Sequence, residues 1–233
     1  MYRQIWKKSG KIIFDNIGIF ILAGIVETVL IQVFLHTGTE NLLLSALFSL
    51  LYTVANTGLC CFYFRAFNRG KPKIADIFAI FTENSSLAGL VSIVAIQYAL
   101  TMILQLAVSA MAPMGSFMVL ASTAVSVIVG SLIRMLPFLY ISNPDYPTAL
   151  YLKGLSKYLL PEVVRYVIFV FLTGVPLGLL LVIVMVFLIF LPIIGPLTMI
   201  FLLLMFRVFL SMSIAGFIAS IIPDEWYAGA RNF

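Results

Sequence analysis

The apolar residues of this chain lie in long unbroken blocks, not in the alternation of a half-buried strand. A helix needs about 20 mainly apolar residues, rising 1.5 Å each, to cross roughly 30 Å of hydrocarbon. Six blocks are long enough: Ile12–Leu35, Leu42–Phe64, Leu87–Ala110, Phe117–Ile141, Val163–Leu191 and Pro196–Ile222. The pattern predicts an all-α fold, a polytopic membrane helix bundle of six transmembrane helices forming one integral domain over residues 1–233. The fifth block exceeds one crossing and contains Gly174-Val175-Pro176-Leu177-Gly178. Proline removes a backbone donor and clashes with the preceding turn, so a kink is expected there.

Three stretches outside the blocks have helical periodicity. In Pro72–Phe81, Ile74, Ile77, Phe78 and Phe81 share a face at i, i+3, i+4, i+7. In the loop after block four, Leu152, Leu155 and Leu159 alternate with Lys153, Ser156 and Lys157. In Tyr2–Lys11, Ile5 and Trp6 are placed to enter a bilayer interface while lysines face phosphates. All three read as short amphipathic helices at the cytoplasmic surface, and equally as caps over the bundle.

Composition narrows the class further. Apolar residues make up 63% of the 233 and charged residues 10%, against roughly 45–50% and about 25% in soluble domains. That excludes a water-soluble fold, a disordered chain and a disulfide-stapled module. The net charge of +5 matters through its position. Twelve of the fourteen basic residues (Arg3, Lys7, Lys8, Lys11, Arg65, Arg69, Lys71, Lys73, Lys153, Lys157, Arg165 and Arg231) fall on one side of the six blocks. The opposite connections, His36–Asn41, Met111–Ser116 and Pro192–Gly195, hold none. Lys and Arg stay cytoplasmic on short loops, so both termini are expected in the cytoplasm. Lys7, Lys8, Arg65, Arg69, Lys71, Lys73, Lys153 and Lys157 are then candidates for contact with anionic phospholipids. The basic N-terminus followed by a long apolar run reads as an uncleaved first span, because Glu27 interrupts the run and no small-residue cleavage site follows. No aromatic–basic repeat suggests nucleic-acid binding.

Small or weakly polar residues recur every fourth position: Ser45, Ser49, Thr53, Thr57 and Cys61 in block two, Ser122, Ser126 and Gly130 before Arg134 in block four, and Ser211, Ala215 and Ala219 after Arg207 in block six. Such rows form slanted stripes suited to helix–helix seams. The row Gln97, Thr101, Gln105 and Ser109 in block three is the best candidate for a polar path, with Arg134 on the neighbouring block.

Charges within the blocks are few and costly. Glu27 lies 15 residues from the start of block one and Arg207 15 residues from the end of block six, which sets both at about 22 Å above the inner boundary. Equal depth and opposite sign make them the expected pair, serving either as a register lock or as a binding site or gate. Arg134 is near the inner end of its block, with snorkelling or Asp15 as its options. Enzymatic motifs are missing. The sole histidine, His36, sits in a short turn, and there is no HExxH, GxSxG or Walker sequence. Adjacent Cys60 and Cys61 lack metal-site spacing and read as apolar packers. Asp224 and Glu225 read as solvated boundary residues. No cofactor, metal or catalytic residue is expected.

Two loops carry a resemblance. Gly58-Leu59-Cys60-Cys61-Phe62-Tyr63-Phe64-Arg65-Ala66-Phe67-Asn68-Arg69-Gly70-Lys71-Pro72, running on to Asp76-Ile77-Phe78, and Ser142-Asn143-Pro144-Asp145-Tyr146-Pro147-Thr148-Ala149-Leu150, followed by Leu155-Ser156, resemble an uncharacterised bacterial membrane family. This is the YciC-like group, related to the membrane domain fused to some glycerophosphodiester phosphodiesterases, with the YesL-like group a looser match. Arg134-Met135-Leu136-Pro137 departs from the Pro-Gly pair of that pattern. The resemblance implies a multi-helix protein of the bacterial inner membrane and supplies no catalytic residues. The expected function is that of a non-enzymatic partner or accessory subunit of a transport or envelope complex, in contact with a membrane-protein partner or a second copy. The alternative is a small-solute, ion or lipid transporter using Glu27, Arg207 and the Gln97–Gln105 row.

Overall fold

The computed structural model describes residues 1–36, 42–82, 87–111, 116–143, 148–188, 194–223 and 226. Among them every regular element is helical. In chain order these are α1 (Tyr2–Asp15), α2 (Ile17–His36), α3 (Leu42–Arg69), a 3-10 turn (Ile74–Ile77), α4 (Ala79–Thr82), α5 (Leu87–Met111), α6 (Ser116–Ser142), α7 (Thr148–Gly154), a π turn (Leu155–Leu159), a second 3-10 turn (Leu160–Glu162), α8 (Val163–Leu188) and α9 (Ile194–Ile221). Ala88–Ala110, Ala121–Ser142, Thr148–Leu188 and Gly195–Ile221 are long and apolar enough to cross a membrane, with mean hydropathies from 1.9 to 2.9. Tyr2–Asp15 with Ile17–Gln32 makes a fifth if a pair bent by 101° counts as one crossing.

That bend revises the first block. The chain does not enter one helix at Ile12: α1 carries on to Asp15 and turns at Asn16. Asn16 has φ −135° and donates from its backbone N–H to the Ile13 carbonyl, while its side-chain amide donates to the Ile12 carbonyl over 3.0 Å. Its own carbonyl accepts from Ile19. One residue thus closes α1 and opens α2. α1 is two-sided: Ile5, Ser9, Ile12 and Ile13 are buried, and Arg3, Lys7, Lys8 and Lys11 are exposed.

The chain resolves into two compact units. The first comprises Met1–Phe78 and Ile168–Ala219, the second Ala79–Val167 and Ser220–Phe233. In the first unit the core lies at the basic end of the helices. It combines Phe20 and Ala23 of α2, Phe62, Phe64 and Ala66 of α3, Phe169 of α8, and Met212, Phe217 and Ile218 of α9. The other ends are only partly covered: no residue is fully buried from Ile25 to Gln32 in α2, from Gly174 to Leu188 in α8, or from Pro196 to Arg207 in α9.

The second unit follows the same rule. Its core joins Leu90, Ile93 and Val94 of α5 to Met135, Leu136 and Leu139 of α6, Tyr151 and Leu159. Trp226 closes it. Its indole N–H donates to the Leu139 carbonyl over 3.0 Å, and its carbonyl accepts from the Asn143 amide. The Tyr151 hydroxyl in turn donates to the Asn143 carbonyl. Gly154 is required here, because a Cβ in its place would lie 2.7 Å from Trp226 Cη2.

The short connecting helices differ in detail from the periodicity. Ile77 and Ile80 are buried but Phe78 is 57% exposed, because the 3-10 turn rotates the face before α4 begins. After α6 the inward face is Tyr151, Gly154 and Leu159, while Leu152 points out. α8 continues through Pro176 as one helix.

Candidate functional site

The charged residues of the long helices meet in the first unit. Glu27 of α2 accepts three hydrogen bonds: from Arg207 Nε of α9 at 3.0 Å, from the Tyr63 hydroxyl of α3 at 2.8 Å, and from the Ser211 hydroxyl of α9 at 3.3 Å. The Glu27 side chain is 14% exposed and that of Arg207 35%.

Local sequence explains how α9 comes so near. One turn before Glu27 stands Gly24, where a Cβ would lie 3.0 Å from Val208 Cγ2. A side chain there would press on Val208 and Leu204 of α9, so the absence of one lets α9 come close enough to set Arg207 against Glu27. Tyr63 is held from behind by aromatic packing. The Phe20 and Phe62 rings meet edge-on with centroids 5.5 Å apart, and the Phe20 and Tyr63 rings stack at 6.4 Å. Lower on α9, Gly216 accommodates the Phe67 ring, 2.7 Å at Cζ from where a Cβ would be. Lys8 Nζ sits 4.2 Å over the same ring, and partial burial there lowers the ammonium below the usual lysine pKa. Trp6 of α1 donates to the Thr173 hydroxyl of α8 at 2.9 Å, which ties α1 to the base of the same unit.

The row Gln97, Thr101, Gln105 and Arg134 serves other ends. The Gln97 amide donates to the Ile133 carbonyl of α6 over 2.8 Å. Ile133 is four residues before Pro137, which lies inside α6. A helical carbonyl is normally met by the N–H four residues on, and proline has none. Gln97 supplies the missing donor, while its own Oε1 is buried without a partner. Thr101 turns back to the Gln97 carbonyl. The side chain of Gln105 lies outside the described residues. Arg134 is exposed and forms no ion pair among the described residues; Asp15 is exposed as well.

Two of the stripes behave alike. Thr57 donates to Thr53 O and Ser126 to Ser122 O. These hydroxyls close on their own helix and leave a smooth face for a neighbour. Ser45, Ser49, Asp224 and Glu225 lie outside the described side chains.

Of the surface basic set, Lys7, Lys8, Lys71, Lys73, Lys153 and Lys157 are exposed. Arg65 is not a surface group: its side chain is 12% exposed and lies 3.3 Å from Asp76. Arg69 reaches the same carboxylate at 3.5 Å. Asp76 also accepts the Lys73 backbone N–H, so it ends the loop and starts the 3-10 turn. Burial of Asp76 requires counter-charge, and that requirement draws Arg65 inward.

Sequence reasoning missed Tyr63, Ser211, Asp76 and Trp226. Tyrosine and serine suit many places in an apolar helix, and a tryptophan beyond the last block looks like an interface anchor. Cys60 and Cys61 are not joined in a disulfide, and no group of three or more potential metal ligands occurs among the described residues. No family model, no curated protein and no solved structure matches this chain.

Proposed function

We propose that this chain is a six-span, non-enzymatic subunit of a membrane assembly, working beside an integral-membrane partner in a bacterial inner membrane with both termini in the cytoplasm. The observation that carries the reading is the one-sided core of the first unit. Beyond the level of Glu27 and Arg207, α2, α8 and α9 bury no residue over the stretches given above. Lipid tails give apolar helices no reason to associate; van der Waals packing and interhelical hydrogen bonds must do so. Helices that bury no residue fully over such long stretches suit a chain whose remaining contacts come from another one. The distribution of Lys and Arg supports the orientation. Four helices, or five with the bent pair, are long and apolar enough to cross, and the 28 residues of α3 would make the sixth. The resemblance of the two loop motifs to the YciC-like group supports the choice of membrane.

The test is purification from native membranes in mild detergent, with quantitative mass spectrometry of what remains bound. An integral membrane protein retained in fixed stoichiometry is the expected result. A monodisperse lone chain whose melting temperature rises with one small solute would refute the subunit reading and favour a transporter. Impermeant cysteine labelling of intact cells checks the topology, with labelling expected at Thr39→Cys and not at Lys71→Cys or Lys153→Cys.

A further inference from the structure

Arg207 is the fourteenth of the 28 residues of α9. A guanidinium carries five N–H donors. The one on Nε goes to Glu27. The two terminal amino groups hold the other four, and they make no hydrogen bond among the described residues although the side chain is only 35% exposed. The nearby hydroxyls of Tyr63 and Ser211 already donate to Glu27. In water these donors would be met at no cost. Halfway along an apolar helix they need an acceptor. The Nε bond to Glu27 at 3.0 Å holds the side chain against α2 and keeps it from extending along α9 to a headgroup.

We infer that the outer edge of the Arg207 guanidinium is the docking point for a partner transmembrane helix bearing a side-chain amide, asparagine or glutamine, at mid-span. This rests on the subunit reading above and names the chemistry of the partner. Glu27 already neutralises Arg207, so a second carboxylate would leave net negative charge in a low-dielectric setting. A carboxamide oxygen has two lone pairs and receives one N–H from each terminal nitrogen without adding charge. A second copy of this chain is the poorer fit, because a two-fold contact through this patch sets Arg207 against Arg207. Exposed Ile200 and Leu203, seven and four residues before Arg207, give such a helix an apolar face to lie along.

The experiment uses the full chain in phosphatidylcholine nanodiscs and labelled Leu/Ala transmembrane peptides with Asn, Asp or Leu at the centre, association being read by energy transfer. The Asn peptide is expected to bind about tenfold more tightly than the Leu peptide, the scale of an interhelical hydrogen bond in model peptides. Arg207→Lys keeps the charge beside Glu27 but loses the planar fork, and is expected to abolish the preference. The double variant Glu27→Leu with Arg207→Leu strands neither charge, and should bind all three peptides alike while retaining its helicity. Equal binding of Asn and Leu peptides to the wild type, or a preference that survives in the double variant, overturns the inference. Tightest binding of the Asp peptide overturns the choice of an amide. A co-purifying partner together with no peptide discrimination would sink this inference and leave the subunit reading standing.

Discussion

Replacing Glu27 with Gln removes one charge and almost no volume, so its effect isolates the electrostatics of the cluster. The bonds from Arg207 and Tyr63, at 3.0 and 2.8 Å, are of normal length, and that from Ser211 at 3.3 Å is long and weak. A glutamine retains an acceptor for Arg207 and turns its amino group toward the Tyr63 oxygen, so hydrogen bonds survive but lose their charge assistance. The main cost is the guanidinium left without its counter-ion. Removing one partner of a buried pair costs about 3–5 kcal/mol, and the 35% exposure of Arg207 places this case at the lower end. A loss of about 3 kcal/mol corresponds to roughly 6–12 °C for a chain of this size. Arg207→Gln strands Glu27 and should cost at least as much, because Glu27 is the more buried partner. The two glutamines together can bond to each other, and the double variant should recover a few degrees over the worse single one. Tryptophan-detected size exclusion after graded heating in detergent measures all four proteins. If the double variant survives no better than the worse single variant, the pair is not coupled as described.

Gln97→Leu should cost about 1–2 kcal/mol by stranding the Ile133 carbonyl, and in a Pro137→Ala background the same change should cost almost nothing. Additive losses in melting temperature would show that Gln97 is not the donor that α6 lacks. Gly154→Ala places a Cβ 2.7 Å from Trp226 Cη2, so Trp226 must leave its seat at Leu139; with Trp6→Phe as background, its fluorescence should shift to the red. An unshifted spectrum would refute that packing. Asp76→Asn should weaken the hold on Arg65 and Arg69 together, since both lie within 3.5 Å of that carboxylate, and speed tryptic cleavage at Lys73 several-fold. Cleavage at the wild-type rate would show that the loop is held some other way.

The succession of apolar blocks determined that this chain folds as helices, and where several end: α5 and α6 begin and stop within a residue of blocks three and four. Such boundaries are legible because the cost of exposing apolar surface changes sharply there. The turn at Asn16 is not legible, since both sides of it are apolar enough to continue as one helix; only the seating of Ile5, Ser9, Ile12 and Ile13 in the core directs α1 away from α2. Charge scarcity and equal depth in the blocks single out Arg207 as the partner of Glu27, and the close approach at Gly24 brings the two into contact. The donors Tyr63 and Ser211 came from tertiary structure alone, because a hydroxyl in an apolar helix finds its nearest acceptor one turn back, as at Thr57 and Ser126, unless packing places a stronger one within reach. Gln97 teaches the same lesson: its row reads as a path, but the gap that Pro137 opens in α6 becomes its acceptor only once α5 lies alongside. Periodicity and charge fix which surfaces must avoid water; which polar group meets which depends on distances of a few ångströms that packing alone sets.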